Sequence, residues 1–186
     1  MSGPTTEPAQ LIEWIAATAR GDATAFEQVY RATSAKLFGV CVAILPSRSD
    51  AEEVLQEVFT TIWRKAGQYD AARASPITWL AMMARNRSID RLRASAGERA
   101  AAPIELAEEL HDDAPTAFAT VEAGDEKRRL EACMGQLDAQ RRTLIRTAFF
   151  EGATYEELAR RSGSPLGTVK SWIRRGLAQL KACLER

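Results

Sequence analysis

Four residues, Ser162-Gly163-Ser164-Pro165, separate two stretches of helical periodicity, and so short a break makes the flanking helices meet at a steep angle. Upstream, Thr154 and Glu157 have the spacing of a capping box, in which hydroxyl and carboxylate each satisfy a backbone amide at a helix start. Gly163 supplies a residue that tolerates left-handed backbone angles, and Pro165 stands at the next helix start, where a missing N–H costs nothing. Downstream, Val169, Ile173 and Leu177 share one helical face, leaving Lys170, Ser171, Arg174 and Arg175 to project together from the rest. No acid follows until Glu185. This is the layout of a DNA-reading helix-turn-helix. A solvated amphipathic hairpin shares the periodicity, but it needs neither the short turn nor the clustered cations.

The remaining sequence also favours helices. Ala, Leu, Glu and Arg are abundant, and no alternating Val/Ile/Thr run is long enough to build a sheet. No apolar stretch approaches the roughly 20 residues that span a bilayer. The polar N-terminus lacks a secretory pattern, so the expected location is cytoplasmic and no membrane insertion is expected. A formal net charge of +0 conceals segregation. Residues 1–95 carry 11 bases and 10 acids, residues 96–124 carry 1 and 7, and residues 125–186 carry 13 and 8. Two regions with concentrated arginines therefore flank an acidic bridge.

The bridge is poor in aromatics and interrupted by prolines, which reads as a flexible linker, with Leu106 and Leu110 sufficient for one helical turn at most. The expected fold is all-α: a four-helix N-terminal domain over residues 8–95, the acidic linker 96–124, and a C-terminal helix-turn-helix domain over 125–186. Leu11, Trp14, Ile15 and Thr18 form the first helical stripe, ended by Gly21. Asp22 caps a second helix that runs to Pro46. The spacing Ser49 to Glu52 predicts the start of a third helix carrying Val54, Leu55, Val58, Phe59, Ile62 and Trp63. A turn-rich loop, residues 67–75, leads through Pro76 into a fourth helix, whose polar faces carry Arg85, Arg87, Arg91 and Arg93.

Three passages resemble the extracytoplasmic-function group of sigma-70-type sigma factors. The segment from Asp50 to Trp63 resembles that group's core-polymerase-binding helix. The segment from Trp79 to Arg93 resembles its promoter-melting helix, and Leu137 to Arg142 followed by the helix-turn-helix resembles its final region. They occur in the family's order and cover the chain from about residue 22. The resemblance implies a sigma-2-like and a sigma-4-like domain in a monomeric transcription initiation factor. Its implied partners are core RNA polymerase, promoter DNA and an anti-sigma factor, often membrane-bound, that holds it inactive.

The implied polymerase contact is the acidic face of Asp50, Glu52, Glu53, Gln56 and Glu57, which would steer and register the helix on a basic surface. Acids in a first turn also favour the helix dipole, which accounts for Asp50, Glu52 and Glu53 but less well for Gln56 and Glu57. By family position the loop would hold a flipped base of the −10 element, with Tyr69 for stacking and Asp70, Arg73 and Ser75 for polar contacts. Arg85, Asn86, Asp90 and Arg93 would contact backbone or separated bases, whereas Arg87 and Arg91 equally fit a surface role and Trp79 a core one. Lys170, Ser171, Arg174 and Arg175 would read the −35 element in the major groove. Trp172 stands where the family commonly has Arg, and the loop lacks the aromatic residue often found before Trp79.

Three scattered cysteines and His111 make no zinc site, and no metal or cofactor is expected. Cys41 reads as buried. Cys133 and Cys183 lie on helices able to pack side by side, which allows a disulfide, although a reducing cytosol favours thiols. An enzyme is the least favoured class, because no phosphate-cradling loop, nucleophile elbow or acid/base pair is present. A sigma-mimicking adaptor would not need the cations on the second helix of the motif. A helix-turn-helix repressor would ordinarily present a dimerisation seam.

Overall fold

The computed structural model describes residues 7–95 and 124–185, and among these there are eight α-helices, one 3-10 turn and no strand. Helix α1, Pro8–Ala19, buries Leu11, Ile15 and Thr18 and ends before Gly21. Asp22 caps α2, Ala23–Ile44, its Oδ1 accepting from the amides of Thr24 at 2.9 Å and Ala25 at 3.0 Å. Val29, Thr33, Leu37 and Cys41 recur every four residues on the buried face of α2. The Thr33 hydroxyl donates to the Val29 carbonyl at 2.7 Å, so the one polar group in that stripe is satisfied.

Helix α3, Arg48–Lys65, begins two residues earlier than the Ser49 spacing predicts, because Ser47 Oγ accepts from the Asp50 amide and serves as the cap. A 3-10 turn, Ala66–Gln68, leads from α3 into the loop before α4, Pro76–Ser95. Helix α2 packs against α1, α3 and α4. Their shared core holds Ile15, Val29, Leu37, Val54, Val58, Ile62, Leu80 and Ala84, all at most 1% exposed. Each large member of that set contributes about 1.5–3 kcal/mol by leaving water.

The second unit comprises α5, Gly124–Gly135; α6, Ala139–Phe150; α7, Tyr155–Ser162; and α8, Leu166–Leu184. Asp138 caps α6 by accepting from the Arg141 amide at 2.8 Å. The capping box at α7 is complete, with Thr154 N donating to Glu157 Oε2 at 2.7 Å and Glu157 N to Thr154 Oγ1 at 3.2 Å. Gly163 ends α7 at φ +63°, the left-handed region that makes the turn. Helix α8 packs on α5, α6 and α7 through Val169, Ile173, Gly176 and Leu180. At Gly176 the helices approach so closely that a Cβ would lie 2.7 Å from Ile145 Cδ1. Cys133 and Cys183 form a disulfide that ties the end of α5 to the end of α8, with a Cα–Cα distance of 5.8 Å. Cys41 is a buried free thiol whose pKa burial raises. Leu106, Leu110 and His111 lie outside the described residues.

Candidate nucleic-acid interface

The inward face of α8 fixes its outward one. With Val169 and Ile173 held at 0% and 1% exposure, Lys170, Arg174 and Arg175 are exposed on the opposite side, and Ser171 is half-buried between them. Lys170 Nζ stands 5.5 Å from the centre of the Tyr155 ring, a cation–π contact that links this face to the start of α7. Trp172 is half-buried and packs against the core. Arg160 and Arg161 on α7 are exposed, and Arg161 pairs with Glu151 at 3.1 Å. The α8 cations therefore form a compact group on a helix anchored from behind.

The loop before α4 is organised by its own polar side chains. Tyr69 donates its hydroxyl to the Ala74 carbonyl at 3.0 Å, and its ring lies 5.3 Å from that of Trp79. Asp70 Oδ1 accepts from the Ala72 amide at 2.9 Å. Ser75 Oγ donates to Thr78 Oγ1 at 2.8 Å and accepts from the Thr78 amide, capping α4. These contacts shape the loop in advance, while Asp70 and Arg73 remain exposed at its surface. Trp79 is half-buried against Tyr69, the core register that its spacing with Ile77 and Leu80 allows.

The α4 candidates part company. Arg87 and Arg91 face α3, where Arg87 pairs with Glu57, and Arg91 Nη2 lies 2.7 Å from Asp50 Oδ1 and 2.5 Å from Glu53 Oε2. Asp50, Glu53 and Glu57 thus form one stripe against α4, whereas Glu52 pairs with Arg48 on its own helix at 3.0 Å and Gln56 is exposed. Arg85 and Arg93 instead point to the second unit and are 1% and 7% exposed. Arg85 donates to the carbonyls of Phe149 (3.1 Å) and Ala148 and to Asn86 Oδ1 (2.9 Å), and its guanidinium lies 5.3 Å from the centre of the Phe149 ring. Arg93 donates to the Gly152 carbonyl. Burial, reinforced by the neighbouring charge of Arg93, lowers the Arg85 pKa to about 10, so the group remains a cation at neutral pH. Asp90 is half-buried.

The Arg87 hydrogen bond holds the Glu57 carboxyl below the ordinary carboxylate range. A lowered acid stabilises the fold above its unfolded pKa and loses that contribution as pH falls through the folded value. The pair is half-exposed, so Glu57→Gln is expected to cost no more than about 1 kcal/mol at pH 7. The difference should shrink as pH falls through the lowered folded pKa of Glu57, and thermal melts of both proteins across an acidic pH series check it.

This arrangement defines a two-part, all-helical nucleic-acid binder rather than a single helix-turn-helix unit. Residues 29–98 match the family Sigma-70 region 2, and residues 127–180 match Sigma-70, region 4. The chain is 35% identical over 191 residues to the ECF RNA polymerase sigma factor SigK of Mycobacterium ulcerans (strain Agy99), covering 100% of this chain and 99% of that protein. It is 32% identical to the protein of the same name from Mycobacterium tuberculosis (strain ATCC 25618 / H37Rv), with the same coverage. Rhodobacter sphaeroides SigE, solved in complex with the anti-sigma ChrR, is 33% identical with a TM-score of 0.49 over 93% of this chain and 99% of that one. The chain belongs to the extracytoplasmic-function (ECF) RNA polymerase sigma factors.

Sequence reasoning did not foresee the burial of Arg85 and Arg93 or the part played by Gly152. A signal was present: Arg85, Ile89 and Arg93 lie at i, i+4 and i+8, which places the two cations and an apolar residue on a single face.

Proposed function

We propose that this chain joins core RNA polymerase in the cytoplasm, directs it to promoters by contacts at two elements, and helps open the duplex. The observation that carries the reading is the pairing of an anchored, exposed cation cluster on α8 with a second arginine-rich helix, α4, preceded by a preshaped loop. Residues 8–95 would supply the polymerase contact through the exposed side of α3, together with −10 recognition through Tyr69, Asp70, Arg73, Ser75 and α4. Residues 125–186 would supply −35 recognition through Lys170, Ser171, Arg174 and Arg175, with residues 96–124 as tether. Ion pairing of Asp50, Glu53 and Glu57 with α4 does not bury them, since Glu53 retains 59% side-chain exposure and Glu57 42%. They remain able to meet a basic polymerase surface. An anti-sigma factor, as in the solved complex of Rhodobacter sphaeroides SigE, would restrain the chain until a signal releases it.

Run-off transcription with purified core RNA polymerase on a genomic promoter library tests this. Discrete transcripts that require the chain are expected. Their absence with a folded, inhibitor-free sample would favour a sigma-mimicking adaptor.

A further inference from the structure

The three exposed cations of α8 are not held alike. Among the described residues no carboxylate pairs with Lys170, Arg174 or Arg175. Lys170 alone of the three lies over a ring, its Nζ 5.5 Å from the centre of Tyr155. The short turn brings the fifth residue of α8 to the first residue of α7, and both ends of the contact are fixed at the backbone. Tyr155 follows Thr154, whose capping box with Glu157 ties down the start of α7, and the Tyr155 ring is half-buried against the core. Lys170 follows Val169, which is 0% exposed. What remains free is the lysine stem, among the side chains that lose most rotamer freedom when ordered. A ring face restrains an ammonium without neutralising it, and the ammonium has three N–H donors, so those turned outward stay available to another acceptor. A carboxylate in the same place would cancel the charge. In a helix-turn-helix the first helix crosses the DNA backbone while the second lies in the major groove, so the seam between the start of α7 and α8 is where a phosphate passes.

We propose that Tyr155 is a positioning residue for DNA binding: its ring aims the Lys170 ammonium at a phosphate beside the bases that Arg174 and Arg175 meet. The aromatic side chain acts through the lysine and adds no affinity of its own. Because a phosphate contact carries no sequence information, the effect is the same on every duplex. The inference rests on the proposed function, which sets α8 on DNA, and goes beyond it by giving a residue outside the recognition helix a defined task.

A double-mutant cycle tests this. Affinities are measured for the full chain, reconstituted with core RNA polymerase, on a promoter duplex selected by the run-off assay and on a scrambled one. Tyr155→Leu keeps an apolar side chain against the core but removes the ring face, and is expected to weaken binding to both duplexes about threefold to fivefold. Tyr155→Phe keeps the face and is expected to bind as the native protein does. A ring-fluorinated phenylalanine in place of Tyr155 keeps the shape while depleting the negative face. It is expected to fall with Tyr155→Leu, which guards against a folding defect in that variant. In a Lys170→Met background all three replacements are expected to be neutral, because the partner they act through is gone. Losses of equal size in that background would overturn the inference, since the ring would then support the fold and not the lysine. Tighter binding by Tyr155→Leu would overturn it as well, by showing that the ring holds Lys170 away from DNA. A native holoenzyme that bound neither duplex would instead remove the proposed function, and this inference with it.

Discussion

Replacing Arg174 and Arg175 together by alanine is expected to abolish discrete promoter binding while leaving the melting temperature almost unchanged. Both side chains are exposed on α8, and surface substitutions of that kind stay within about 0.5 kcal/mol of native stability. Their value lies in the complex. An arginine bidentate to a guanine edge discriminates by about 1–3 kcal/mol, so losing two such contacts costs about 2–6 kcal/mol, or roughly 30-fold to 10⁴-fold in affinity. Lys170→Ala provides the contrast. A lysine on phosphate weakens all sequences alike and lowers the slope of log affinity against log salt by about 1. Titrations of a selected promoter fragment and a scrambled one, at several salt concentrations, separate the cases. If the double variant lost affinity equally for both fragments, the two arginines would be phosphate contacts, and base reading would have to be sought elsewhere on α8.

The helix-turn-helix was legible because local chemistry and tertiary demand agree there. Thr154 and Glu157 close a real capping box, Gly163 takes the left-handed angle, and Val169 and Ile173 face inward as their spacing requires. At α3 two serines competed for one helix start, and Ser47 rather than Ser49 aligned its hydroxyl with a free amide. Periodicity cannot choose between caps two residues apart, because each offers a plausible first turn. The ion pairs between α3 and α4 lay in the sequence as complementary stripes, acids at 50, 53 and 57 and arginines at 87 and 91. Reading them as a pair requires knowing that the two helices are neighbours. Arg85 and Arg93 were further from view. Their spacing with Ile89 placed them on one face but not inside, and their acceptors in the second unit are backbone carbonyls, which carry no sequence signature. Charge predicted exposure, but a helix end in another unit supplied the compensation that burial demands.

The disulfide and the core of the second unit bear on one further result. Ile173→Ala is expected to melt the C-terminal helices well below the N-terminal ones, giving two transitions by calorimetry. Ile173 is 1% exposed at the centre of α8, and truncating such a residue costs about 2–5 kcal/mol. The described unit, residues 124–185, is small enough that this is a large share of its stability. The Cys133–Cys183 bond closes a loop with a sequence separation of 50, and constraining the unfolded chain to that extent is worth about 4 kcal/mol in the chain-entropy description. The variant should therefore retain a folded C-terminal baseline in oxidising buffer and lose most of it under reductant. DNA binding through α8 should follow the same pattern, because Lys170, Arg174 and Arg175 are presented together only while Val169 and Ile173 hold the helix from behind. A variant that bound a promoter fragment as the native protein does in both buffers would show that α8 is positioned by its termini, through Pro165 and Cys183, and not by the buried face between them.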